Sequence, residues 1–173
     1  MNYASIRSMD ISNGPGLRVS LFVSGCKFHC KNCFNQEAQD YSYGQLYNES
    51  TYNHLISLVD KPYISGLSIL GGDPLWQSDD DIWALCRLVD DIHKLGKSVW
   101  LWTGFKWEDV MDDYNDARRD LLIMCDVVVD GQYVDELRDL KLVWKGSSNQ
   151  RVIDVKKSLE AHEIIIYKEN NKC

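Results

Sequence analysis

Cys26, Cys30 and Cys33 stand within eight residues of one another, at the spacing C-x3-C-x2-C inside "SGCKFHCKNCFNQ". Thiols this close together invite metal chemistry, and three readings compete for them. Positions i, i+4 and i+7 share one face of a helix, so a buried helical stripe is the first. Against it, Lys27, His29, Lys31 and Asn32 leave only Phe28 as apolar support. A structural zinc site is the second. Such sites are closed by four ligands, usually brought as two separated pairs, and here the fourth would have to be His29 or a distant cysteine. A cuboidal four-iron cluster is the third. It takes one thiolate per iron, so three cysteines leave one iron open, and an open position is a binding site. Lys27 and Lys31 would favour thiolates if they face the cluster; otherwise they are solvated surface lysines.

The rest of the composition bounds the answer. The chain has 173 residues, 45% hydrophobic and 26% charged, which are the proportions of one globular domain. A net charge of -7 argues against a nucleic-acid partner, because phosphate binding needs a basic footprint. The start "MNYASIRSMD" has no apolar signal region, and runs such as "LLIMC" are too short to span a bilayer, so no membrane partner and a cytoplasmic location are expected. In a reducing cytosol the six cysteines read as metal ligands or packed thiols, not as a disulfide framework. Cys86 falls on the apolar stripe of a helix and Cys125 at a strand start, both as core residues, while Cys173 at the terminus reads as free.

The elements that must position the thiols follow from pattern. Arg18 to Val23, "RVSLFV", after the turn signal "NGPG", reads as a strand, and the cysteine loop leaves its carboxyl end. Helical spacing marks residues 50 to 60 and, most clearly, Asp79 to Leu95, where acidic residues fill the first turn and Gly96 ends the helix. Further strands are expected at Gly66 to Leu70, Ser98 to Trp102 and Cys125 to Val129. A helix is expected at Asp154 to Ala161 and a last strand at Ile164 to Tyr167. Alternating strands and helices predict βαβ units around a parallel sheet, with ligands at the carboxyl ends of the strands. The turns "SGC", "GGDP", "WTGF" and "DGQY" each follow a strand, so they share that edge. A closed eight-unit barrel needs about 250 residues, so a partial barrel or open sheet is expected.

With both motifs in place, C-x3-C-x2-C after the first strand and "GGDP" after the next, the chain resembles the radical S-adenosylmethionine superfamily. The segments "NGPGLRVSLFVSGC", "CFN", "SILGGDPL", "WLWTGF", "VVVDGQY" and "WKGSSNQ" are similar, in order and spacing, to the family that activates anaerobic ribonucleotide reductase. The resemblance covers residues 1 to about 151 and implies a single domain, a partial, laterally open (β/α) barrel of the radical SAM type, with 152–173 as an extension beyond the last motif. It implies that Cys26, Cys30 and Cys33 hold a [4Fe-4S] cluster whose open iron is chelated by S-adenosyl-L-methionine. It places Gly71, Gly72 and Asp73 along the methionine part, Asn32 and Phe34 along the adenine, and Thr103 and Asn149 near ribose or carboxylate. The activity implied is that of a radical SAM oxidoreductase. It reductively cleaves the cofactor to a 5′-deoxyadenosyl radical, which takes hydrogen from a glycine of the reductase to leave a glycyl radical. The implied partners are the large catalytic subunit of anaerobic ribonucleoside-triphosphate reductase and a low-potential electron donor such as flavodoxin or ferredoxin. Two alternatives stand beside this: a small-molecule enzyme of the same superfamily, such as a deazapurine-forming synthase, and a non-enzymatic zinc or iron–sulfur module.

Overall fold

The structure, a computed structural model, describes residues 1–114 and 116–169, so Cys173 lies outside the described residues. Seven strands form one mixed sheet. In chain order they are β1 (Asn2–Asp10), β2 (Arg18–Val23), β3 (Gln45–Leu46), β4 (Gly66–Gly71), β5 (Ser98–Trp102), β6 (Val127–Asp130) and β7 (Arg151–Asp154). The spatial order is β3-β1-β2-β4-β5-β6-β7, and the sheet does not close. From β2 to β6 the strands run parallel, while β1 and β7 pair antiparallel at the two ends.

Among the described residues five α-helices accompany them: α1 (Glu49–Val59), α2 (Asp79–Lys94), α3 (Trp107–Met111), α4 (Asp116–Met124) and α5 (Val155–Ala161). In α2 Ser78 caps the first turn through Asp81 N, three aspartates follow, and His93 and Lys94 sit at the other end, so the charges oppose the helix dipole. Gly96 follows at φ +71°, a conformation that suits glycine at a helix end. Alternation along the strands sends Val19, Leu21, Val23, Leu67, Ile69, Val99 and Leu101 into one core with apolar residues of all five helices. The helices therefore cover a single face. The opposite face carries a second, smaller core of Trp100, Val127, Val129 and Val152, with Trp102, Trp144 and Tyr167 against it. At the amino-terminal end of the parallel strands that face is plugged by fully buried Arg18, which donates to Ser68 Oγ (2.7 Å), Ser98 Oγ (2.9 Å) and the Leu67 carbonyl (2.7 Å). No described helix is long and apolar enough to cross a membrane.

Several expectations shift. The first strand of the sheet is Asn2–Asp10, next to the outermost strand, and its half-buried and exposed residues show no apolar run. The strand expected from Cys125 begins at Val127. Cys125 itself closes α4, buried, with its thiol donating to the Leu121 carbonyl (3.2 Å). The strand expected at Ile164 to Tyr167 reduces to a single bridge, Ile153 to Ile166, along the outer edge of β7. The segment after residue 151 supplies β7 and α5, so it is built into the sheet.

At that end Arg151 joins three elements. Its guanidinium meets Glu108 of α3 through two bonds (2.8 and 2.7 Å) and Asp130 of β6 through Nε (3.0 Å) and Nη2. The bond to Arg151 holds the Glu108 carboxyl down at about 2, against an ordinary 4.5. A depressed folded-state pKa contributes stability above 4.5, and that stability is lost as pH falls toward 2. Glu108→Gln is thus expected to lower the urea midpoint at pH 7 and to differ less from the parent chain at pH 3. A difference that stays constant across this range would show that the ion pair contributes nothing.

Candidate functional site

The carboxyl ends of β2, β4, β5 and β6 open onto one cavity of about 170 Å³. Cys26, Cys30 and Cys33 line it together, facing the turns that carry Gly71 and Asp73, Thr103 and Gly104, and Gly131 and Tyr133. A larger groove of about 630 Å³ lies between α3 and α5, but it carries no thiol. Chemistry decides in favour of the smaller one.

The cysteine loop is irregular, not a helix. It is tied at its base by Gly25 N to the Ala38 carbonyl (2.8 Å) and Cys26 N to the Gln39 carbonyl (3.1 Å). Burial alternates along it: Cys26, Phe28 and Cys30 are half-buried while Lys27, His29 and Lys31 are exposed. His29 (φ 49°) and Asn32 (φ 54°) adopt the left-handed conformation, and these reversals return the chain so that Cys33 faces the same cavity as Cys30. Asn is among the residues that tolerate this conformation best, which accounts for Asn32 before the third cysteine. Its side chain points outward, donating to Asp135 (2.7 Å), and Lys31 pairs with Glu136 (2.8 Å). Phe34 stands at the cavity rim, 65% exposed, with its ring edge-on to Tyr133 at 5.7 Å.

The turn after β4 is pressed against this loop. A Cβ on Gly72 would lie 2.5 Å from the Gly25 carbonyl oxygen and 2.6 Å from that of Ala38, and Gly71 has φ +111°. The close approach that requires these glycines is to the neighbouring backbone. Asp73 is 1% exposed, and its carboxylate accepts from Leu75 N (2.9 Å), Thr103 Oγ1 (3.0 and 3.1 Å) and Gly104 N (2.7 Å). Burial raises its pKa to about 6, against the pull of those hydrogen bonds. Thr103 is matched to Asp73 and also accepts from Phe105 N (3.2 Å).

Asn149 falls outside the cavity, donating to the Gln132 carbonyl (2.8 Å) on a neighbouring groove. The adjacent residue, Gln150, lines the cavity and clamps its rim, accepting from Gly146 N (2.9 Å) and donating to the Gly131 carbonyl (2.9 Å). Sequence reasoning did not single out Gln150, Tyr133 or Asn35. The signal available was their place in the "GSSNQ", "DGQY" and "CFN" segments.

The donor set discriminates among metals. Among the described residues, no three Cys, His, Asp or Glu side chains converge as a single ion requires. His29, the nearby fourth-ligand candidate for zinc, instead has Nδ1 against Gln39 Oε1 (3.2 Å). Three thiols spread along one wall suit a cluster whose ligands go to separate irons. Burial raises Cys26 to about 12, helped by Asp73 and the neighbouring cysteines, and also raises Cys30. Thiolates here would require a compensating cation.

A family model described as a 4Fe-4S single cluster domain matches residues 12–153. The anaerobic ribonucleoside-triphosphate reductase-activating protein of Enterobacteria phage T4 is 40% identical over 158 residues, covering 88% of this chain and 93% of the relative. The protein of the same name from Escherichia coli K12 is 39% identical over 157 residues, 88% and 97% of the two chains. That of Vibrio cholerae is 37% identical over 154 residues, 87% and 96%. The chain belongs to this family of reductase-activating proteins. The matched family stretch includes every site residue from Cys26 to Gln150 and continues into β7, so the cavity lies wholly within what the family shares.

Proposed function

We propose that this chain activates an anaerobic ribonucleoside-triphosphate reductase as a radical S-adenosylmethionine enzyme. The observation that carries the reading is that Cys26, Cys30 and Cys33 line one strand-end cavity with, among the described residues, no fourth cysteine or histidine lining it. In this reading the three thiolates hold a [4Fe-4S] cluster, and the remainder of the cavity, between the β4 and β5 turns, receives the cofactor. When bound, cluster and S-adenosylmethionine together supply a 5′-deoxyadenosyl radical, which takes a hydrogen atom from one glycine of the reductase. The chain's own part is to place and shield. Gly71 and Gly72 keep the β4 turn low, Phe34 and Tyr133 line the rim, and Gln150 holds the far wall.

The fold suits a polypeptide substrate. Parallel strands added in one direction, β2-β4-β5-β6, with helices on one face only, support the winding of a barrel over that of a doubly wound sheet. Because the sheet stays open, a partial (β/α) barrel of the radical SAM type leaves a lateral gap for a loop of the reductase large subunit. A low-potential donor such as flavodoxin or ferredoxin delivers the electron in this scheme.

The test is anaerobic. The reconstituted, reduced chain is mixed with S-adenosylmethionine and the reductase, and a glycyl electron-paramagnetic-resonance doublet on the reductase is the expected result. Cofactor cleavage without that doublet would remove the activase role and leave a small-molecule radical enzyme. One zinc per chain in place of about four irons would remove both.

A further inference from the structure

Residues 73 to 77 cross behind the cavity, and two of their side chains are buried polar groups whose partners belong to other loops. Asp73 reaches the turn after β5, as described. Gln77, 6% exposed, donates from Nε2 to the carbonyls of Ser24 (3.1 Å) and Gly25 (3.3 Å), where the cysteine loop begins, and to that of Asp73 (3.0 Å). The Asp73 amide donates to the Gly25 carbonyl (2.8 Å) from the same side. Between them Trp76 lies 5.7 Å from the ring of Phe28, which sits in the cysteine loop between Cys26 and Cys30. Phe28 also rests against the β5 turn, where a Cβ on Gly104 would lie 2.5 Å from its ring.

We propose that Asp73 and Gln77 are positioning residues that fix the distance between the cysteine loop and the β5 turn, with Asp73 acting through Thr103 and Gly104 and not as a contact to the cofactor. Hydrogen-bond accounting carries the argument. The one Thr103 proton is directed at the Asp73 carboxylate, and both carboxylate oxygens also hold a backbone N–H. A carboxylate whose two oxygens each hold a backbone N–H and share the Thr103 proton, in a residue 1% exposed, has little acceptor capacity left for an ammonium group. Gln77 does the matching work on the other side, where its side-chain amide donates to the loop carbonyls.

The proposal rests on the cluster-and-cofactor reading of the cavity, and two measurements separate the two. The first needs no cofactor: hydrogen exchange in the unreconstituted chain. Gln77→Leu is expected to speed exchange of the Gly25 and Cys26 amides at least tenfold while the second half of α2 is unchanged; parent-like exchange at both amides would overturn the role of Gln77. The second is S-adenosylmethionine affinity by equilibrium dialysis on the reconstituted oxidised protein. Asp73→Asn and Thr103→Val are each expected to weaken binding about tenfold, and the double variant is expected to be no weaker than the worse single one, as for two parts of one unit. Multiplying effects, or an effect of Asp73→Asn with none of Thr103→Val, would make Asp73 a direct contact and overturn the proposal. If Asp73→Asn does not fold, Thr103→Val against Thr103→Ser decides: the serine hydroxyl restores affinity, and parent-like affinity in Thr103→Val overturns the role. A parent chain that binds no cofactor at all would defeat the functional reading, and the exchange result would still stand for or against Gln77.

Discussion

Cys30→Ala is expected to leave the reconstituted chain without its cluster and without S-adenosylmethionine cleavage, whereas Cys86→Ala leaves both intact. The two residues differ in place and not in chemistry. Cys30 is half-buried on the cavity wall, held between Phe28, which is anchored in the aromatic layer, and the left-handed turn at Asn32. In the proposed reading, losing its thiol would leave two protein ligands for four irons and a second iron without a protein anchor. Cys86 is buried on α2 in the main core, on the face of the sheet away from the cavity. Burial raises its pKa to about 11, so it stays a thiol and packs as a small hydrophobe. Iron per chain after anaerobic reconstitution reads the contrast directly: about four for the parent and for Cys86→Ala, and a small fraction of that for Cys30→Ala. Loss of iron in Cys86→Ala alone would refute the ligand assignment.

Gly72→Ala is the second large effect, on stability first and on the cluster through it. The added Cβ would meet two backbone carbonyl oxygens, at 2.5 and 2.6 Å, and no rotamer change can move either. One of them, that of Ala38, accepts the Gly25 amide that closes the base of the cysteine loop. Relief therefore requires the two loops to part. Overpacking of this kind costs about 3 kcal/mol, which in a domain of this size lowers Tm by roughly 10 °C. Gly96→Ala supplies the scale: nothing lies within 4 Å of its Cβ position, and only the positive φ opposes it, at about 1 kcal/mol. Thermal unfolding of the two variants side by side decides the matter, and a Gly72→Ala chain no less stable than Gly96→Ala would refute the packing account. Iron retention should fall in Gly72→Ala and not in Gly96→Ala.

The parallel strands and the long helix were legible because burial on both faces writes apolar runs into the sequence, and because glycine turns mark where those runs stop. β1 was not, since a strand whose side chains are half-buried or exposed has no apolar run to mark it. α3 and α4 were missed for a related reason: five and nine residues give too few turns for a periodicity to show. At the site, the thiols and the "GGDP" turn announce themselves by residue type. What spacing cannot show is direction. Asn149 and Gln150 are neighbours in the chain, yet only Gln150 lines the cavity. Asp73 and Thr103, expected beside the cofactor, both line the cavity, and their hydrogen bond to each other carried no sequence signal. Gln77 carries no sequence signal, because its partners are main-chain carbonyls, two of them 52 and 53 positions away.

A sheet that stays open for a partner must also avoid pairing with copies of itself, and its two ends show how. One outer strand, β3, is only two residues long and offers too short a ladder to template another strand. At the other end, residues 165–167 lie along β7 and occupy its outward-facing groups, through Asp154 N to the Ile165 carbonyl (2.9 Å) and Tyr167 N to the Val152 carbonyl (2.8 Å). Truncation after α5 would bare that ladder while keeping the core residues of α5. The consequence to expect is self-association of an otherwise folded protein, so the last described stretch serves as an aggregation guard that lets the rest of the molecule stay unclosed.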